Sequence, residues 1–132
     1  MEDDGLPTPD EILAVHEQLE EAYDLKHRGL MKAAPRLKLE REVLAPAREY
    51  ENPHYRAAAL RWELISLHLF EDGNKRTAWT VAVEYLSRHG IDTDHLGDET
   101  ATVVRRSGLF SVEELATWLE TGEIDTSRLP ED

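Results

Sequence analysis

His68, Asp72, Gly73, Asn74, Lys75 and Arg76 crowd one short stretch, His68-Leu69-Phe70-Glu71-Asp72-Gly73-Asn74-Lys75-Arg76, and their types suit the handling of phosphate. Histidine is the side chain whose ordinary pKa, about 6.5, lets it take a proton near neutrality. Asp72 is a hard oxygen donor of the kind Mg2+ accepts alongside phosphates and waters. Gly73 allows close backbone approach, and a helix starting near Asn74 would aim unpaired N–H groups and its positive dipole end at an anion. Lys75 and Arg76 add positive charge, the arginine in a form suited to bidentate phosphate contact. Taken singly, each residue has an ordinary reading: Asp-Gly-Asn is a common turn into a helix, and a lone histidine is more often structural. Taken together they describe a site that binds and polarises a nucleotide.

Such a site needs a helix to deliver the loop and a helix to begin at its end. Asn52-Pro53 opens an apolar run carrying Ala57, Leu60, Leu64 and Leu67, which predicts a helix leading into the loop. After the loop, Val81, Ala82, Tyr85 and Leu86 keep a helical apolar face as far as Gly90, a good terminator. Thr8-Pro9-Asp10-Glu11 is a capping box with proline at the first helical position, followed by Ile12, Val15, Leu19 and Ala22; this first helix is expected to end near Leu25. Ser111-Val112-Glu113-Glu114 is a second capping box, opening a helix with Leu115, Trp118 and Leu119 before Gly122. The expected fold is all-α. Trp62, Trp79 and Trp118 are expected core anchors, and Phe70 a hydrophobic pin for the loop. His16, His27, His54, His89 and His95 show no mutual metal spacing and are read as surface or capping residues.

The loop resembles the Fic/Doc signature, His-x-Phe-x-(Asp/Glu)-(Gly/Ala)-Asn-(Gly/Lys)-Arg-x-x-Arg, at every specified position through Arg76; only the terminal arginine is missing. A chance match is on the order of one in a million, so coincidence is set aside. Two positions resemble the Doc (death on curing) branch: Lys75 stands where AMP-transferring Fic proteins carry a second glycine, and Trp79 where they carry the second arginine. Gly73, where Doc proper tends to have alanine, is the one small departure. The segments Tyr55 to Leu67 and Ala82 to Ile91 also look like the family's helices around its motif. The resemblance implies one all-α Fic/Doc domain over residues 1–132, a helical bundle around a central motif-bearing helix, with its core at about 8–120 and a polar tail at 123–132. It also implies a short β-hairpin flap over the site, for which residues 29–41 are the candidate.

In chemical terms the resemblance implies phosphoryl transfer from Mg-ATP to a protein hydroxyl. His68 would be the base and Asp72 the Mg2+ ligand. Gly73 and Asn74 would form the anion hole, with Lys75 and Arg76 as phosphate-neutralising cations. The implied target is the GTPase elongation factor that delivers aminoacyl-tRNA. No (Ser/Thr)-x-x-x-Glu-(Gly/Asn) inhibitory string occurs in these 132 residues, so the implied restraint is an antitoxin protein acting in trans. Two other readings stay open: a Fic-type AMP transferase, and a catalytically silent helical binding module that has kept the motif.

Composition narrows the partners. Twenty-eight Asp and Glu against 15 Lys and Arg give a net charge of −13, and only four of the cations are lysine. Nucleic-acid backbones are bound by positive surface, so direct nucleic-acid binding is not expected. There is no cysteine, hence no disulfide or thiolate metal site. The chain has no apolar stretch of membrane-spanning length and an acidic beginning unlike a secretory leader, so a cytoplasmic location is expected. Acidity with arginine over lysine resembles the proteins of salt-loving organisms, in which molar salt screens self-repulsion over a few ångström. The fold is therefore expected to tighten with salt. A melting temperature unchanged between low and molar KCl would contradict this.

Overall fold

The computed structural model describes residues 5–23, 29–97, 99–106, 109–125 and 127. Local capping explains where its first helix begins. Thr8 accepts from the Glu11 N–H while the Glu11 carboxylate accepts from the Thr8 N–H, and Pro9 fixes the first helical φ, so α1 runs Pro9–Ala22. It ends at Ala22 with Tyr23 as its C-cap; Leu25, where the sequence places the end, lies outside the described residues. Glu11 pairs with Arg88 near the end of the motif-bearing helix, and this partner holds the Glu11 carboxyl below the usual carboxylate range.

The expected hairpin flap at 29–41 is corrected by the structure. Pro35 starts a helical rod of three parts: α2 (Pro35–Leu39), a π-helical turn (Glu40–Leu44) and α3 (Ala45–Arg48). Leu39, Val43 and Ala47, spaced four apart, are fully buried, and burying that stripe is what selects helix over strand. The wide turn immediately precedes Pro46, which has no N–H to offer the Glu42 carbonyl; there the Ala45 N–H reaches back five residues to Glu40. Among the described residues the only extended pairing is one antiparallel bridge, Leu30 to Phe70. Met31 N–H donates to the Leu69 carbonyl at 2.7 Å and Glu71 N–H to the Gly29 carbonyl at 3.1 Å.

Asn52 caps α4 (Pro53–Leu67), accepting from the His54 and Tyr55 N–H groups. Ala57, Ala58, Ala59 and Leu60 are all buried, and such small side chains let neighbours close around the helix. α4 forms the centre together with α5 (Asn74–Arg88), and packs as well against α3 and the π-helical turn and against the last helix. A short α6 (Thr100–Arg105) leads to α7 (Val112–Thr121), which is capped by the Ser111/Glu114 box and stopped at Gly122, φ 80°. Trp118 is fully buried, whereas Trp62 and Trp79 are partly buried and packed on the core. Among the described residues no helix is long and apolar enough to cross a membrane. The domain is all-α, as the caps and apolar periodicities predict.

Candidate active site

The loop between α4 and α5 turns on two left-handed residues. His68, the C-cap of α4, has φ 49°, and Gly73, the N-cap of α5, has φ 77°. Leu69 and Phe70 are buried and pin the loop to the core. Asn74 then closes it: its Oδ1 accepts from the Phe70 N–H at 3.2 Å, and its Nδ2 donates to the Phe70 carbonyl at 2.8 Å and lies 3.4 Å from His68 Nδ1. With its amide oxygen and one amide N–H committed to Phe70, Asn74 faces a ligand chiefly through its backbone N–H. The first intrahelical bond runs from Thr77 N–H to the Gly73 carbonyl. The N–H groups of Asn74, Lys75 and Arg76 therefore open the helix without helical acceptors.

All six chemistry-bearing residues line one cleft of about 500 Å³, together with Glu71, Ile65, Val104 and Arg105. His68, Asp72, Lys75 and Arg76 are exposed to it. Asp72 Oδ1 accepts from the Gly73 N–H at 2.8 Å, and its other carboxylate oxygen has no protein partner among the described residues. Lys75 Nζ donates to the Arg105 carbonyl at 2.7 Å, and the Arg76 guanidinium sits 4.1 Å over the Tyr23 ring. Among the described residues no three His, Cys, Asp or Glu side chains come together around a metal. One carboxylate with a free oxygen fits a hard cation brought in by a phosphate ligand, its shell completed by phosphate and water, and not a cation held in an all-protein cage.

Membership of a family decides how this cleft is read. The family model for the Fic/DOC family matches residues 6–86. The chain belongs to the Fic/DOC family. No curated protein matches it. The Fic/DOC match spans α1 to nearly the end of α5, so it contains the whole motif; α6, which supplies Val104 and Arg105 to the cleft, and α7 lie beyond it.

One functional neighbour overturns a reading from the sequence. His16 is buried, at 3% exposure, and is not a surface residue. Its ring stacks on Phe70 at 3.6 Å and 6°, its Nε2 donates to the Asp72 carbonyl at 2.8 Å, and its Nδ1 lies 3.8 Å from Glu20. Glu20 in turn accepts from the Gly29 N–H at 2.9 Å, which ties α1 to the strand-like segment paired with the loop. The signal was present in the sequence: His16 stands four residues after Ile12, on the buried stripe of α1. His95 also has a tertiary partner, the Leu119 carbonyl at 2.8 Å; His54 faces Glu120, and His89 caps α5 as expected. His27 lies outside the described residues. Lys32, also unanticipated, donates to the Leu67 carbonyl and so caps α4 beside His68.

Proposed function

We propose that this Fic/DOC domain is a Doc-like toxin that transfers the γ-phosphoryl group of Mg-ATP to a hydroxyl of a target protein. The observation that carries the reading is the joint fate of the two branch-defining positions. Lys75 lines the cleft, where by family resemblance it would crowd the space for the far phosphates, whereas Trp79 turns into the core against Trp118, ring centroids 5.7 Å apart, and offers the cleft no charge. By family resemblance that combination favours a reversed ATP with its γ-phosphoryl group presented for attack.

In this reading the target oxygen attacks phosphorus, the hydroxyl proton passes to a ring nitrogen of His68, and the β–γ bridging oxygen leaves with ADP. The Asn74 contact at 3.4 Å is too long to hold the His68 tautomer firmly, so a donating hydroxyl can select it. The free N–H groups of α5, with Lys75 and Arg76, take up phosphate charge. Mg2+, when bound, would be held by Asp72 and would neutralise charge on the phosphates. The target is proposed to be a translation elongation factor, and the restraint an antitoxin supplied in trans.

ATP labelled at the γ position is expected to transfer label to a protein band of a cell extract in the presence of Mg2+, and ATP labelled at the α position is not. Label from the α position would replace this reading with AMP transfer, which Gly73 also suits. Label from neither would leave a silent binding module.

A further inference from the structure

We propose that Arg105 is the second guanidinium of the phosphate cleft, delivered by α6 in place of the motif arginine that Trp79 replaces, and that it grips the di- or triphosphate chain of a nucleotide. The inference rests on the nucleotide reading above and adds a residue that lies outside the matched segment.

Arg105 lines the cleft with His68, Asp72 and Gly73, and it is exposed. Among the described residues no carboxylate pairs with it. The other two cations of the cleft are partly committed: Lys75 to a backbone carbonyl, Arg76 to the face of Tyr23. Arg105 is the cation there whose side chain has neither an acceptor nor an aromatic face among the described residues. In a chain of net charge −13 an anionic ligand meets a repulsive field at long range, so binding depends on local positive groups.

The helix that carries Arg105 is held at both ends, although at six residues it is too short to stand alone. At its start, the Glu99 carboxylate accepts from the Trp118 indole N–H at 3.0 Å, and that bond holds Glu99 below the usual carboxylate range. At its end, Arg61 Nη2 donates to the Val103 and Val104 carbonyls at 3.0 and 3.1 Å, and Lys75 to the Arg105 carbonyl. Arg61 is almost fully buried, and burial lowers its pKa to about 10. Three carbonyls at the negative end of α6 are thus covered by two cations, and this removes the repulsion they would exert on a phosphate in the cleft. Trp79 belongs to the same support, because it packs on the tryptophan that holds Glu99. The substitution that removes one arginine from the cleft helps to seat the helix that brings another.

The test is calorimetric titration of the full chain, with Mg2+, against adenosine, AMP, ADP and ATP. Arg105→Ala is expected to weaken ADP and ATP about 10- to 100-fold, the worth of a charge-assisted phosphate contact, and to leave adenosine unchanged. Arg105→Lys should recover part of the loss, since a point charge remains without the fork. Arg106→Ala makes the same change in net charge on an exposed neighbour that does not line the cleft, and should shift ADP binding by no more than about twofold. Equal losses from Arg105→Ala and Arg106→Ala would overturn the proposal while leaving the nucleotide reading intact. Failure of the unsubstituted chain to bind either ADP or ATP would overturn both.

Discussion

His68→Ala is expected to slow transfer of the γ-phosphoryl group about 10²- to 10⁴-fold, the usual contribution of a positioned general base. ATP affinity should hardly move, because the phosphate contacts in this reading come from the α5 N-terminus and its cations. The backbone supplies a companion test. His68 stands at φ 49°, where a residue with a Cβ sits roughly 1–2 kcal/mol above its relaxed conformation. Glycine removes that cost, at the expense of about 0.5–1 kcal/mol of unfolded-chain entropy. His68→Gly should therefore slow transfer to the same extent while melting at or slightly above the temperature of the unsubstituted chain. Strain that is kept where glycine would relieve it points to a function for the side chain. A loss of less than tenfold in either variant would remove His68 from the role of base.

The parts of this fold written in local signals were legible. Thr8, Asn52 and Ser111 each supply a side-chain oxygen to a helix start, and Gly122 and Gly90 supply stops, so the starts of α1, α4 and α7 and the ends of α5 and α7 follow from a few residues each. α6 was not legible, because Thr100-Ala101-Thr102-Val103-Val104 is rich in β-branched residues that disfavour helix, and Arg61 and Trp118, from elsewhere in the chain, hold it. The flap expected over residues 29–41 is instead helical from Pro35 onward. The decisive fact, that Leu39, Val43 and Ala47 share one buried face, depends on what lies opposite.

The site divides in the same way. Its chemistry-bearing residues are contiguous, so a motif can hold them all. Asn74 shows the limit of that reading, since residue type suggests an anion contact and the geometry commits its amide to Phe70. Arg105 and His16 reach the loop only through folding. No local pattern joins His16 to Asp72, which lie 56 positions apart.

His16 nevertheless holds the Asp72 carbonyl, and two substitutions should separate its two contacts. Phenylalanine keeps a ring against Phe70 and loses the donor to the Asp72 carbonyl; glutamine can keep a donor near the Nε2 position and loses the ring. His16→Phe is expected to fold with stability within about 1 kcal/mol of the unsubstituted chain, because the freed carbonyl belongs to an exposed residue that water can reach. Its turnover should fall about 10- to 100-fold, since a displacement on the order of 1 Å in the proposed Mg2+ ligand has effects of that size. The fall should appear in kcat more than in KM for ATP, because in the proposed reading most phosphate contacts lie beyond the Asp72–Gly73 turn. His16→Gln should show the reverse, a stability loss of roughly 0.5–1.5 kcal/mol from the missing ring pair, with turnover within a few-fold. The crossing of the two effects is the discriminating result. If rate and stability fell together in both variants, His16 would be a packing residue alone. If His16→Phe kept full turnover, the bond to the Asp72 carbonyl would have no part in positioning the site.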